Sequence, residues 1–169
     1  YIQEYGAVYD SVIGVISYSF EEFKLNPRSA DDLAGYTPGS GGDVMTIADI
    51  QEGNYVGPAK LEGVIVTSPT TESGFWVQDS GGGEWSGIYV FTENMNGGPQ
   101  EFAVGDTLNL SGEVSEFYDL TEISVGDVSD IEKTADSDES LVAVTELSSS
   151  PSDWETYEGV LVSLADVEV

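Results

Sequence analysis

A chain of 169 residues, 40% of them hydrophobic, is long enough for one domain with flanking pieces and can bury a real core. Lys and Arg number 4 against 32 Asp and Glu, and the formal net charge of −28 argues against phosphate-driven nucleic-acid binding, which needs cationic side chains to release counterions. Cys and His are both absent, so thiol chemistry, disulfides, histidine bases and Cys/His zinc sites are excluded.

Taken in chain order, the pattern is almost entirely strand. Residues 5–20 are rich in Val, Ile, Tyr and Phe, with Gly14 in mid-run marking a bulge or sharp coil. Residues 23–28 form a short strand ending at Pro27, and a helical turn capped by Ser29 leads into a Pro/Gly/Ser linker over 37–43. Residues 44–53 suit a short helix or turn with Thr46 as N-cap. Five strands are expected next, over 59–69, 73–80, 85–92, 106–117 and 119–128, separated by turn-rich stretches. An acidic connector over 129–140 precedes a strand at 141–147, a loop at 148–159 and a final strand running to Val169.

Two stretches recur. Glu62-Gly63-Val64-Ile65-Val66 matches Glu158-Gly159-Val160-Leu161-Val162, and Ile13-Gly14-Val15-Ile16-Ser17 resembles Ser111-Gly112-Glu113-Val114-Ser115. The middle of the chain holds both in order, the N-terminus only the closing part and the C-terminus only the opening part. Four segments follow: 1–36 as the closing half of one β unit, 37–43 as linker, 44–133 as a complete unit, and 134–169 as connector and opening strands of another. Joined end to end, the two halves fall short of one unit by about two strands and their turn. The expected fold is all-β, an OB-like five-stranded Greek-key barrel with flanking half-units, in which Gly63 and Gly112 let long strands bend around barrel corners. A β-sandwich is the competing architecture. The chain opens on Tyr1 rather than Met, so a processed chain or a piece of a longer one is expected. No apolar run approaches the ~20 residues that span a bilayer.

The strings LEGVIVTSPTTESGFWVQDSGGGEWSGIYVFT and VGDTLNLSGEVSEFYDLTEI resemble the OB-fold module of large secreted bacterial nucleases and lamin-tail-type surface proteins. The flanking WETYEGVLVSL and YDSVIGVISYSFEEFKLNPRSADDL are similar to the neighbouring parts of that module, so about three-quarters of the chain is covered. The resemblance implies an extracellular, non-catalytic β module of a multidomain protein. It brings no catalytic residue with it, and the chain lacks the nuclease domain that often accompanies such modules.

Candidate site residues fall in two groups. Phe75, Trp76, Tyr89 and Phe91 lie on the second and third strands, with Trp85 in the turn between, and planar aromatics stack on sugars, bases or neighbouring modules. Alternation sends Phe75 and Val77 to one face and Trp76 and Gln78 to the other, so one set is core. In the connector region, Asp127, Asp130, Asp136 and Asp138, with Glu139, could surround a calcium ion, the one cofactor the composition suggests. Their spacing is not that of an EF-hand, and a solvated linker is the simpler reading. Gln78-Asp79 reads as a hairpin turn in which Asp bonds its own backbone.

The expected function is a non-catalytic extracellular structural or assembly module, of a surface or filament protein, with copies of itself or neighbouring modules as partners. The alternative is an accessory module that binds polysaccharide or single-stranded nucleic acid, with polysaccharide favoured on charge grounds. A stand-alone enzyme ranks last, since no nucleophile, base or metal cage assembles from the sequence.

Overall fold

The computed structural model describes residues 8–19, 22–35, 42–98 and 100–165. Most of the expected 37–43 linker and the end of the final strand beyond Ala165 lie outside the described residues. The chain divides into two compact units, Tyr1–Gly42 and Asp43–Val169.

The described residues of the first unit form β1 (Ser11–Val12), β2 (Val15–Ser19), β3 (Glu22–Asn26) and β4 (Leu33–Ala34). The run expected as one strand is broken at Gly14. β2 and β3 form an antiparallel hairpin with Ile16 opposite Leu25 and Tyr18 opposite Phe23, while β1 pairs with β4, Val12 opposite Leu33. The two-residue period puts Ile16, Tyr18, Phe23 and Leu25 on one face. Val15, Ser17, Lys24 and Asn26 take the other, where the Asn26 amide donates to Ser17 Oγ at 2.8 Å and to the Val15 carbonyl at 3.1 Å. A 3-10 turn over Ala30–Asp32 follows Ser29. The Arg28 guanidinium grips Asp32 through two N–H···O bonds of 3.0 and 2.7 Å, which hold that carboxyl down at about 2.

The second unit holds β5 (Asp43–Val44), α1 (Ile47–Gly53), β6 (Gly57–Val66), β7 (Gly74–Gln78), β8 (Gly87–Phe91), β9 (Thr107–Glu116), β10 (Thr121–Ser124), β11 (Ile131–Ala135), β12 (Thr145–Leu147) and β13 (Val162–Leu164). Strand order runs β6-β7-β8-β10-β9 and returns to β6, so the sheet closes. All these pairings are antiparallel except β8 with β10. This is a closed five-stranded, OB-like barrel with extra strands at its edges. Its inward residues alternate along each strand: Leu61, Val64 and Val66 on β6, Phe75 and Val77 on β7, Ile88 and Val90 on β8, Leu108, Leu110 and Val114 on β9, and Ile123 on β10, all buried. The α1 helix plugs the barrel with Ile47 and Ile50, and it starts as expected at Thr46, whose Oγ1 accepts from the Asp49 amide at 3.1 Å.

Gly63 marks the corner in β6. It has φ of 70°, the register with β9 shifts between Leu61 and Val64, and its N–H donates to Asn109 Oδ1 at 2.9 Å. Only glycine takes that left-handed conformation without a Cβ penalty, so the bulge is written into the sequence. The acidic connector expected at 129–140 is not plain linker. Its first half forms β11, which pairs with β9 and buries Ile131 opposite Leu110.

The two units share a stretch of geometry that the short sequence matches only hint at. Each paired residue of the first unit has a counterpart 98 positions later, as Val15 has Glu113 and Asn26 has Ser124. Val12 opposite Leu33 and Ile16 opposite Leu25 reproduce Leu110 opposite Ile131 and Val114 opposite Ile123. The 3-10 turn over 30–32 falls on the counterpart of the turn over Val128–Asp130. A Cβ on Gly14 would strike the Asn26 carbonyl oxygen at 2.5 Å, as one on Gly112 would strike that of Ser124 at 2.4 Å. Burial differs. Val114 and Ile123 are fully buried, whereas Ile16 is 67% and Leu25 49% exposed.

Candidate functional site

The structure divides the five candidate aromatics among three environments. Phe75 points inward and packs on Phe102, ring centroids 5.2 Å apart, so it is core. Trp76, Tyr89 and Phe91 lie half-buried on the outer face of β7 and β8. Trp76 sits directly across from Tyr89 with ring centroids 4.9 Å apart, and Glu122 on β10 lies beside Tyr89 on the other flank. Burial pushes the Tyr89 phenol up, with a Thr71 hydrogen bond working against it and the charges of Glu122 and Glu93 adding to it. Burial likewise raises Glu122, opposed by a hydrogen bond from Ser124. Trp85 stands apart, in the turn, with φ of 62° and its backbone N–H donating to the Thr156 carbonyl at 2.7 Å.

That last bond belongs to a strap. Residues 142–165 run back across the β7–β8 end of the barrel, with β12 and β13 paired in parallel. Gln78, buried although it lies on the outer face, holds both sides of the strap. Its Nε2 donates to the Ala143 carbonyl at 3.2 Å and its Oε1 accepts from the Leu161 amide. Gly83 N–H donates to Thr145 Oγ1 at 3.0 Å, Tyr157 Oη donates to Glu84 at 2.9 Å, and Thr121 N–H donates to Glu158 Oε1 at 2.9 Å. Gly87 and Gly159 meet backbone to backbone: a Cβ on Gly87 would lie 2.1 Å from the Gly159 carbonyl carbon. A Cβ on Gly159 would in turn come within 3.0 Å of the Trp76 ring. The strap therefore covers one edge of the aromatic face.

Glu158 sets a pH dependence. Its half-buried carboxyl is raised, first by burial, with the Thr121 and Gln51 hydrogen bonds opposing and the charges of Glu155 and Glu116 adding. A carboxyl whose folded pKa lies above its unfolded one stabilises the fold fully below the unfolded value, near 4.5, and loses that contribution as pH rises through the folded value. Glu158→Gln keeps an acceptor for Thr121 and is expected to flatten the part of the Tm-against-pH curve that falls above about pH 4.5. Thermal unfolding of wild type and variant between pH 4 and 8 checks this, and parallel curves would contradict it.

The acidic candidates do not come together as one set. Asp127 caps the Val128–Asp130 turn, accepting from Ser129 N–H and from Asn96 Nδ2 at 2.6 Å, and Asp130 accepts from Asp127 N–H at 3.1 Å. Asp138 caps a second turn, over Glu139–Leu141, through Ser140. Asp136 pairs instead with Lys133 at 2.9 Å, and Lys133 also reaches the buried Asp106 at 3.1 Å. Among the described residues no group of three or more Asp and Glu is placed to hold a metal ion.

Gln78 and Asp79 turn out to be long-range tethers. Asp79 Oδ2 accepts from Ile47 N–H at 2.8 Å and Ala48 N–H at 3.4 Å, so its side chain caps α1 rather than bonding its own turn. Its backbone serves that turn, the carbonyl accepting from Gly82 N–H and the N–H donating to the Ser86 carbonyl. The sequence signal was polarity directly after the core residue Val77, which asks for partners. No helix among the described residues is long and apolar enough to cross a membrane. No family model matches the chain, and no curated protein matches it.

Proposed function

We propose that the chain is a non-catalytic, extracellular assembly module whose business is to join β units. The observation that carries this reading is the contrast between the two copies of one hairpin. At 109–132 the hairpin closes a barrel, while in the first unit the same register leaves Ile16, Tyr18, Phe23 and Leu25 exposed. A contiguous exposed face made of Ile16, Tyr18, Phe23 and Leu25 marks an interaction surface. The strap covers one edge of the aromatic face of the barrel. The net charge of −28 keeps such modules apart at low ionic strength and lets them approach once salt screens it.

The test is molar mass by light scattering over a concentration series, at low and high salt, with and without calcium. Concentration-dependent association that strengthens with salt is expected, and Ile16→Asp should abolish it without touching the barrel. A monodisperse monomer under every condition would sink the reading.

A further inference from the structure

We infer that the inner face of the 11–34 hairpin is a docking surface for the opening half of another copy of this same β unit, a helix and three strands of the kind formed by residues 44–98. The inference rests on the assembly reading and names the partner. What covers the face is read from the second copy of the hairpin. There, Leu110, Val114, Ile123 and Ile131 share one core with Ile47 and Ile50 of α1 and with the inward residues of β6, β7 and β8. The register of the first hairpin is the same at every paired position, and the same turn follows it, so it presents the same surface to the same kind of partner.

The equivalence fixes how the partner would lie. In the barrel β6 runs antiparallel to β9, with Leu61 opposite Leu110 and Ala59 opposite Gly112. Shifted by the same 98 positions, a donor strand of the β6 kind sets its Leu61 opposite Val12 and its Ala59 opposite Gly14. At the far end the two hairpins differ. Where the barrel has Glu116 accepting from Thr121 Oγ1, the first hairpin has Tyr18 stacked on Phe23, ring centroids 4.8 Å apart. The docking surface is therefore more apolar at that end than its counterpart, and Phe23, 79% exposed, has the most area to bury. Strand addition of this type draws affinity from backbone hydrogen bonds and specificity from alternate side chains.

The chain has no cysteine, so one thiol on each partner reports register cleanly. The probe is a peptide of residues 44–98 carrying L61C, mixed with the full chain carrying V12C under mild oxidation. Directly opposed residues of an antiparallel pair lie within the Cα separation a disulfide needs. The control is V15C, on the opposite face of the same hairpin. A covalent adduct at V12C, forming about tenfold or more faster than at V15C, is expected for a pair held at that spacing. Exchange of the peptide into the intact barrel would set L61C against Leu110 and give no adduct. No adduct at V12C, or equal rates at the two positions, overturns the inference. If the chain associates by light scattering yet takes up no peptide, the hairpin meets something else, such as its own copy, and only the identity of the partner fails. If the peptide docks in register while the chain alone stays monomeric, the assembly reading fails and the docking surface stands.

Discussion

Phe75→Ala is expected to lower the stability of the barrel by about 3–5 kcal/mol, the range for truncating a buried aromatic. Phe75 is the largest fully buried side chain of the barrel, and it joins β7 to the long β8–β9 connection through Phe102. Truncation removes the transfer free energy of the ring and leaves a cavity that the closed barrel, paired on both edges of every core strand, cannot collapse to fill. A domain of this size has only about 5–15 kcal/mol in all, so the loss is a large fraction. In denaturant unfolding the midpoint should fall with the slope unchanged. Phe75→Leu, which restores most of the volume, should recover the greater part. A loss below about 1 kcal/mol for the alanine variant would mean that Phe75 is not the centre of this core.

Gly87→Ala is expected to detach the strap. The added methyl would sit 2.1 Å from the carbonyl carbon of Gly159 and 2.4 Å from Val160 N, which are backbone atoms that no rotamer change can move. Either the strap lifts or β8 shifts, and overpacking of this kind costs about 1–3 kcal/mol. The strap is held by a handful of hydrogen bonds whereas β8 is paired on both sides, so the strap yields. Hydrogen exchange reads this directly. The amides of Leu161, Thr145 and Trp85, which donate to Gln78, to Leu161 and to Thr156, should lose protection while those of β6 and β9 keep theirs. Equal loss throughout the barrel would show that strap and barrel open as one.

Much of the barrel was legible because its signals are local. Alternation of Val, Ile and Phe located β6 to β10 to within a few residues, Thr46 announced the start of α1, and Gly63 announced the corner. Alternation also separated Phe75 from Trp76, although only the closed barrel shows which of the two is inside. What escaped the sequence is non-local. β11 hides in an acidic stretch because it is an edge strand: Glu132, Lys133 and Thr134 all face solvent, and one buried residue, Ile131, gives no period to detect. Gln78 and Glu158 gain their meaning from partners 83 and 37 positions away, which no window of sequence contains. The acidic run suggested a cation site, but most of its carboxylates cap turns at single positions, and capping needs only Asp beside Ser or Thr.

The repeated hairpin also bears on the order in which the barrel forms. Residues 11–34 hold their register, their turn and their close Gly14–Asn26 approach with the inner face still in water. That geometry is therefore specified within about two dozen residues, by contacts whose loop-closure entropy is small. The same instructions operate at 109–132. The earliest structure of the barrel is therefore expected in β9, β10 and the turn after them, ahead of the β6–β9 seam, whose partners stand on either side of β7 and β8 in the chain. Kinetically, closing the barrel is then a late docking of its first half onto a template already shaped by its second.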